Sequence, residues 1–194
     1  GTTTFSGAVG TTTALTSLTT NAGGTTAING TAITTSGAQT YNDTVTLGGA
    51  GAKTLTSTAG AITFASTLGG AFGLTLSGNT GVTFNGAVAT PTSLDVTGAT
   101  NINANVTTTS TQAYHSPVTL GANAVLTTTN NSVVFDSTVD RDATARNLTV
   151  TTGSGAITFT GNVGAGVNGA LGTAIFNTTG LTTLSGTLAA DTLT

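Results

Sequence analysis

Apolar and polar side chains alternate along this chain in short bursts separated by Gly, Asn, Ser and Thr. The stretch ITFTGNVG (Ile157 to Gly164) is typical, and near copies recur: TTFSGAVG from Thr3, ITFASTLG from Ile62, VTFNGAVA from Val82 and VVFDSTVD from Val133. In each, a β-branched residue or two precedes a Phe, and an aliphatic residue follows four positions later. An apolar-Thr-apolar triplet in extended backbone sends its two apolar side chains to one face and Thr to the other, so each copy predicts a short strand. Longer windows such as LTLSGNTGVTF (Leu74 to Phe84) and LTVTTGSGAITF (Leu148 to Phe159) read as strand, turn, strand. Their Gly, Asn and Ser residues give the backbone the freedom that a corner needs.

Two periods lie on top of this alternation. Gln39 and Gln112, Tyr41 and Tyr114, and Leu47 and Leu120 are each 73 residues apart, which marks a long repeat. Its copies are bounded at about residues 1–79, 80–154 and, in part, 155–194. Inside it, Phe5, Ile28, Val45, Phe64, Phe84, Ile102, Val118, Phe135, Phe159 and Leu184 recur about every 20 residues, so that one long repeat holds about four short ones. A module of that size cannot bury its own core and must stack on its neighbours.

The predicted fold is all-β: one continuous parallel β-solenoid over residues 1–194, with about ten coils of two or three short strands. Each ITF-like segment is expected directly above the previous one. The core ladder is then Phe5, Val9, Phe64, Leu68, Phe84, Val88, Phe135, Val139, Phe159 and Val163, with Thr pointing outward. A β-sandwich array, suggested by the length of the long repeat, is disfavoured by the inner period, by the absence of Trp and by the lack of linker-like Pro.

Composition narrows the function classes. The 194 residues are 37% hydrophobic and only 5% charged, with 52 Thr and 28 Gly. Such a chain is too apolar to remain a solvated coil. Helix formers are scarce. Six Asp against three Lys and Arg give a net charge of -3, the wrong sign for a nucleic-acid surface. No apolar window is long enough for a membrane-spanning helix. Without Cys, neither disulfides nor thiolate metal sites contribute.

The [IV]TFxGxV units and the segment TTSGAQTYNDTVTLGG (Thr34 to Gly49) resemble the repeat regions of filamentous-haemagglutinin-like bacterial surface proteins and related giant β-strand-repeat proteins. The resemblance is one of repeat style and spans nearly the whole chain. It implies a right-handed parallel β-helix at the bacterial cell surface or in its matrix, serving as an adhesive or structural shaft. Host or environmental surface glycans are the partners that go with such a role.

The chain offers few groups for chemistry. FDSTVDRDATAR (Phe135 to Arg146) gathers Asp136, Asp140 and Asp142, as a polysaccharide-cleaving acid pair or a cation site would require, but a solvated loop with Asp/Arg pairs is expected instead. His115 stands where the repeat mate is Asn42, which disfavours a catalytic base or metal ligand. Lys53 has no Glu to assist an isopeptide crosslink. Six Asn-x-Ser/Thr triplets occur, about as many as this composition produces by chance. Outward Thr at strand spacing raises ice or carbohydrate binding, but the triplets TVTL, KTLT, AITF, LTLS and SLDV vary along the chain. No cofactor and no enzyme activity are expected. Both ends read as full strands, GTTTFSGAVG and TTLSGTLAADTLT, so further coils are expected to join there, covalently or by docking of copies, with Phe5, Val9, Leu184, Leu188 and Leu193 at the junctions.

Overall fold

The computed structural model describes residues 1–194 as a parallel β-solenoid of about nine turns and about 21 residues per turn. Each turn visits three sheets in a constant order. The first sheet has ten strands, from Thr2–Phe5 to Ala190–Leu193; the second has eight, from Ala32–Thr35 to Thr182–Leu184; the third has seven, from Leu18–Thr20 to Val139–Arg141. Every strand pairing is parallel, between one coil and the next. At the usual strand spacing the rod is about 45 Å long.

Inward positions form one core of 32 buried residues. Phe64, Leu68, Phe84, Val88, Phe135, Val139, Phe159 and Val163 all lie in it, whereas Phe5 and Val9 are half-buried and pack against its edge. Phe5 has a strand partner on one side only, Ile28.

The ITF-like segments do not form one column. Phe64 sits over Phe84 on the third sheet, Phe135 over Phe159 on the second, and Phe5 on the first. The cause is the length of the long repeat. Gln39–Tyr41 is the fifth strand and Gln112–Tyr114 the sixteenth, so one repeat is eleven strands, one short of four complete coils. Each copy of a motif therefore falls one sheet back: Tyr41 is on the third sheet and Tyr114 on the second. The motif around Phe5, Phe84 and Phe159 obeys the same rule once the single-bridge crossing at Val9 is counted as a strand position.

Two aromatic columns result. Tyr41, Phe64 and Phe84 stack on the third sheet at centroid separations of 5.1 and 5.7 Å; Tyr114, Phe135 and Phe159 stack on the second at 5.1 and 4.8 Å. Aliphatic residues extend them: Ile102 and Leu120 follow Phe84, while Leu76 and Val96 precede Tyr114. The aromatic bulk thus passes from one wall of the core to another.

Each column opens on the same buried polar clasp. The Tyr41 hydroxyl donates to Gln39 Oε1 at 2.9 Å, and Gln39 Nε2 donates to the Thr56 carbonyl at 2.8 Å. Tyr114 donates to Gln112 at 3.1 Å, and Gln112 donates to the Thr127 carbonyl at 2.9 Å. Burial holds both phenols well above their ordinary pKa, so they remain donors. Gln112→Leu would strand the Tyr114 hydroxyl and is expected to cost about 1–3 kcal/mol, whereas adding Tyr114→Phe removes the orphan and recovers most of the loss. A double-mutant cycle in denaturant measures this directly.

Thr does not point only outward. Thr35 and Ser57 turn their hydroxyls inward at the corner after the second sheet, both onto the Gly37 carbonyl. Their repeat mates Thr108 and Thr128, with Thr152 after them, do the same at the corner after the first sheet, donating to the carbonyls of Ser110, Asn131 and Gly155. An inward hydroxyl satisfies a corner carbonyl that has no strand partner.

Candidate functional site

The charged groups of this nearly uncharged rod are the places to look for chemistry, and they fall into separate environments. The Phe135 to Arg146 segment does not gather its acids. Asp136 follows the second-sheet strand Val133–Phe135; Asp140, on the third sheet, accepts the Gly166 N–H at 2.8 Å; Asp142 holds Arg146 through two bonds of 2.6 and 2.9 Å. The Arg146 guanidinium, with the Thr144 N–H, lowers the Asp142 pKa. Arg141 is tied by its Nε to the Ala170 carbonyl at 2.7 Å. Part of the segment, Val139–Arg141, is a strand and not a loop.

The arrangement that sequence reasoning missed is a row across three coils. His115 Nδ1 lies 2.6 Å from Asp136 Oδ2, and His115 Nε2 lies 3.4 Å from Asp95 Oδ1. All three side chains are outward and roughly half-exposed. The two carboxylates take different ring nitrogens, so the trio does not converge on a point, and no group of His, Asp, Glu or Cys is arranged to hold a metal ion. The hydrogen bond to Asp136 raises the His115 pKa, partial burial opposes it, and Asp95 adds to the rise.

That shift carries a sign. A histidine whose folded pKa exceeds its unfolded value adds stability that is fully present below about pH 6.5 and is lost as pH rises through the raised folded value. The groups are exposed, so the contribution is small. His115→Asn, which installs the repeat mate's residue, is expected to abolish this part of the pH dependence. Denaturant midpoints at about pH 5 and about pH 9 would show it.

Two charges are buried singly. Asp43 accepts the hydroxyls of Thr20 and Thr26 at 2.9 and 2.7 Å. Lys53 is fully buried; Nζ donates to the Ala50 and Asn29 carbonyls at 2.9 and 3.2 Å and lies 4.7 Å from the Phe72 ring centroid. These contacts meet the ammonium with carbonyls and a ring face. Several Asn residues of the Asn-x-Ser/Thr triplets also have structural work: Asn105, Asn130 and Asn147 accept the N–H groups of Val125, Ser154 and Thr173 in the next coil.

The residues expected at the ends are placed as follows. Val9 bridges Ile33, Leu188 bridges Val163, and Leu184 and Leu193 are 39% and 58% exposed. No helix is long and apolar enough to cross a membrane. No protein-family model, curated protein or solved structure matches this chain. The solenoid is consistent with the resemblance to filamentous-haemagglutinin-like adhesins without being specific to them.

Proposed function

We propose that this chain is a length of non-catalytic shaft from a bacterial extracellular filament or adhesin, onto whose two end coils further coils stack, within one chain or between copies. The observation that carries the reading is the eleven-strand repeat on a three-strand coil. A repeat out of step with the coil maintains the core stacking while moving every outward feature from face to face. That is a means of building a rod of uniform stiffness and not of elaborating one active face. The outward surface agrees: along the first sheet, Thr4, Ala27, Thr46, Gly69, Ala89, Thr107, Thr127, Thr151 and Asn177 follow one another without a charge. Electron microscopy and light scattering of the 194-residue chain test the proposal. Rods growing in steps of about 45 Å, and shortened by Leu193→Lys, support it; a monodisperse monomer at high concentration overturns docking between copies, and a compact non-rod particle overturns the shaft.

That same first-sheet column favours ice binding as a second reading. The variable triplets that weigh against it in the sequence come from different sheets; TVTL belongs to the first, KTLT and LTLS to the second and AITF to the third. Sorted by sheet, the column is uncharged, yet both outward positions are Thr only at pairs such as Thr2 and Thr4, Thr44 and Thr46, and Thr149 and Thr151. A thermal-hysteresis measurement separates this reading from a plain shaft.

A further inference from the structure

Two regions of the surface occupy the same place in the long repeat, the first a groove and the second shallower and more open. The first, of about 410 Å³, runs along the corner between the second and third sheets over successive coils; Thr56, Ser77, Asn79, Thr97 and Ser116 line it, and no apolar side chain does. The second, of about 440 Å³, lies at the corner between the first and second sheets and is lined by Thr151, Gly153, Phe176, Asn177, Thr178 and Thr179. Eleven strand positions on from Ser77, Asn79 and Thr97 stand Thr151, Gly153 and Asn177, and the pairing of Ser77 with Thr97 is repeated by Thr151 with Asn177.

Corner length makes the grooves. The inward residues flanking the first corner are Leu55 and Ile62, then Leu76 and Val82, then Val96 and Thr100, so the corner loses residues from coil to coil. A shorter corner lies nearer the axis, and the step between long and short is the concavity. The second corner shortens likewise, from Val150 and Ile157 to Phe176 and Thr182. Gly78 and Gly98 pave the first floor; a Cβ on either would press into a backbone carbonyl, of Gly81 or Gly78.

The chemistry of the linings limits what fits. Neither holds a charge. In the first groove the strand N–H and C=O groups are committed to bonds between coils, so no edge is offered there for adding a peptide strand. What the first groove presents is short hydroxyls repeated at about 4.8 Å along the axis, and the second repeats the step once, from Thr151 to Asn177. In the first groove Ser57 donates to the Gly37 carbonyl and Ser116 accepts the Gly98 N–H, which leaves Thr56, Ser77, Asn79 and Thr97 without a protein partner. In the second, the Thr178 and Thr179 hydroxyls donate to the Gly153 carbonyl, Asn177 reaches Thr151 at 3.4 Å, and Phe176 adds an apolar floor.

The geometry points to two copies of one binding site for an uncharged, hydroxyl-rich glycan chain lying along the rod axis, recurring once per long repeat and turned by one sheet each time. The consequence is a shaft that carries glycan sites around its circumference, so that several weak sites act together whichever face meets the polymer.

Amide-shift mapping by NMR, titrating the 194-residue chain with uncharged α-1,4-, β-1,4- and β-1,3-glucan oligosaccharides at up to about 10 mM, tests the proposal. Shifts are expected to cluster at Ser77, Asn79 and Thr97 and at Thr151, Asn177 and Thr179. Ser77→Trp fills the first groove from its outward side and should weaken binding there at least tenfold while leaving the second set unchanged; Thr97→Leu serves as an independent blocking variant. No shift with any of these glucans, shifts with acidic oligosaccharides or an extended peptide alone, or a first set that persists in both folded variants would overturn it. Rods that lengthen without binding glucan would leave the shaft reading standing while removing this one.

Discussion

Truncating Phe135 to alanine is expected to cost the fold about 3–5 kcal/mol, the range for a fully buried aromatic ring. Phe135 is 1% exposed and stacked on both sides, 5.1 Å from Tyr114 and 4.8 Å from Phe159, with the three residues in direct register. Its loss opens a cavity and removes two aromatic pairs, each worth about 0.5–1.5 kcal/mol beyond burial. In a solenoid each coil touches only its neighbours, so a break between two coils cannot be offset by contacts elsewhere. Phe5→Ala is the comparison: Phe5 is half-buried and has a strand partner on one side, so less than half the loss is expected. Denaturant unfolding of the two variants measures both. Equal losses would contradict the two-column core.

What could be read from the alternation and what could not follow from the same geometry. Period-two triplets such as Ile62 to Phe64 and Ile157 to Phe159 announce strands, and the recurrence near 20 residues announces stacked coils. The step of the long repeat was hidden because corners vary in length. Val96 to Thr100 and Leu55 to Ile62 both turn one corner, so residue spacing alone does not tell four coils from eleven strands. With the two periods taken as commensurate, Phe64 and Phe135 fall in one column, and ice-binding triplets from different sheets are compared as if they shared a face. The Asp95, His115 and Asp136 row did leave a signal, since these outward residues are about one coil apart in sequence. Pairing charged residues at that separation would have found it. The burial of Lys53 had no such signal, because its partners are carbonyls and a ring from corners of unpredictable length.

The second large effect is expected at Gly98, in the short corner that floors the first groove. Its φ is +118°, a conformation that L-residues avoid, and a Cβ there would drive into the Gly78 carbonyl oxygen. Gly98→Ala thus combines a backbone penalty with an overlap against main chain, which has no rotamer to move into. Two bonds hold the position: the Gly98 N–H donates to Ser116 Oγ at 3.1 Å, and the Gly98 carbonyl accepts the Thr100 hydroxyl at 2.9 Å. Any shift that relieves the overlap strains both, and with them the stacking of Thr100 on Val82. A loss of about 3 kcal/mol or more is expected. Gly51 separates the two contributions, because its φ is also positive, +71°, but a Cβ there would meet nothing nearer than Thr31 Cγ2 at 3.6 Å. Gly51→Ala should therefore cost only the left-handed backbone term, about 1–2 kcal/mol. Denaturant midpoints for the pair give the difference. Equal losses would mean that the Gly98 corner relaxes freely, and the groove that rests on its tightness would then not keep its shape.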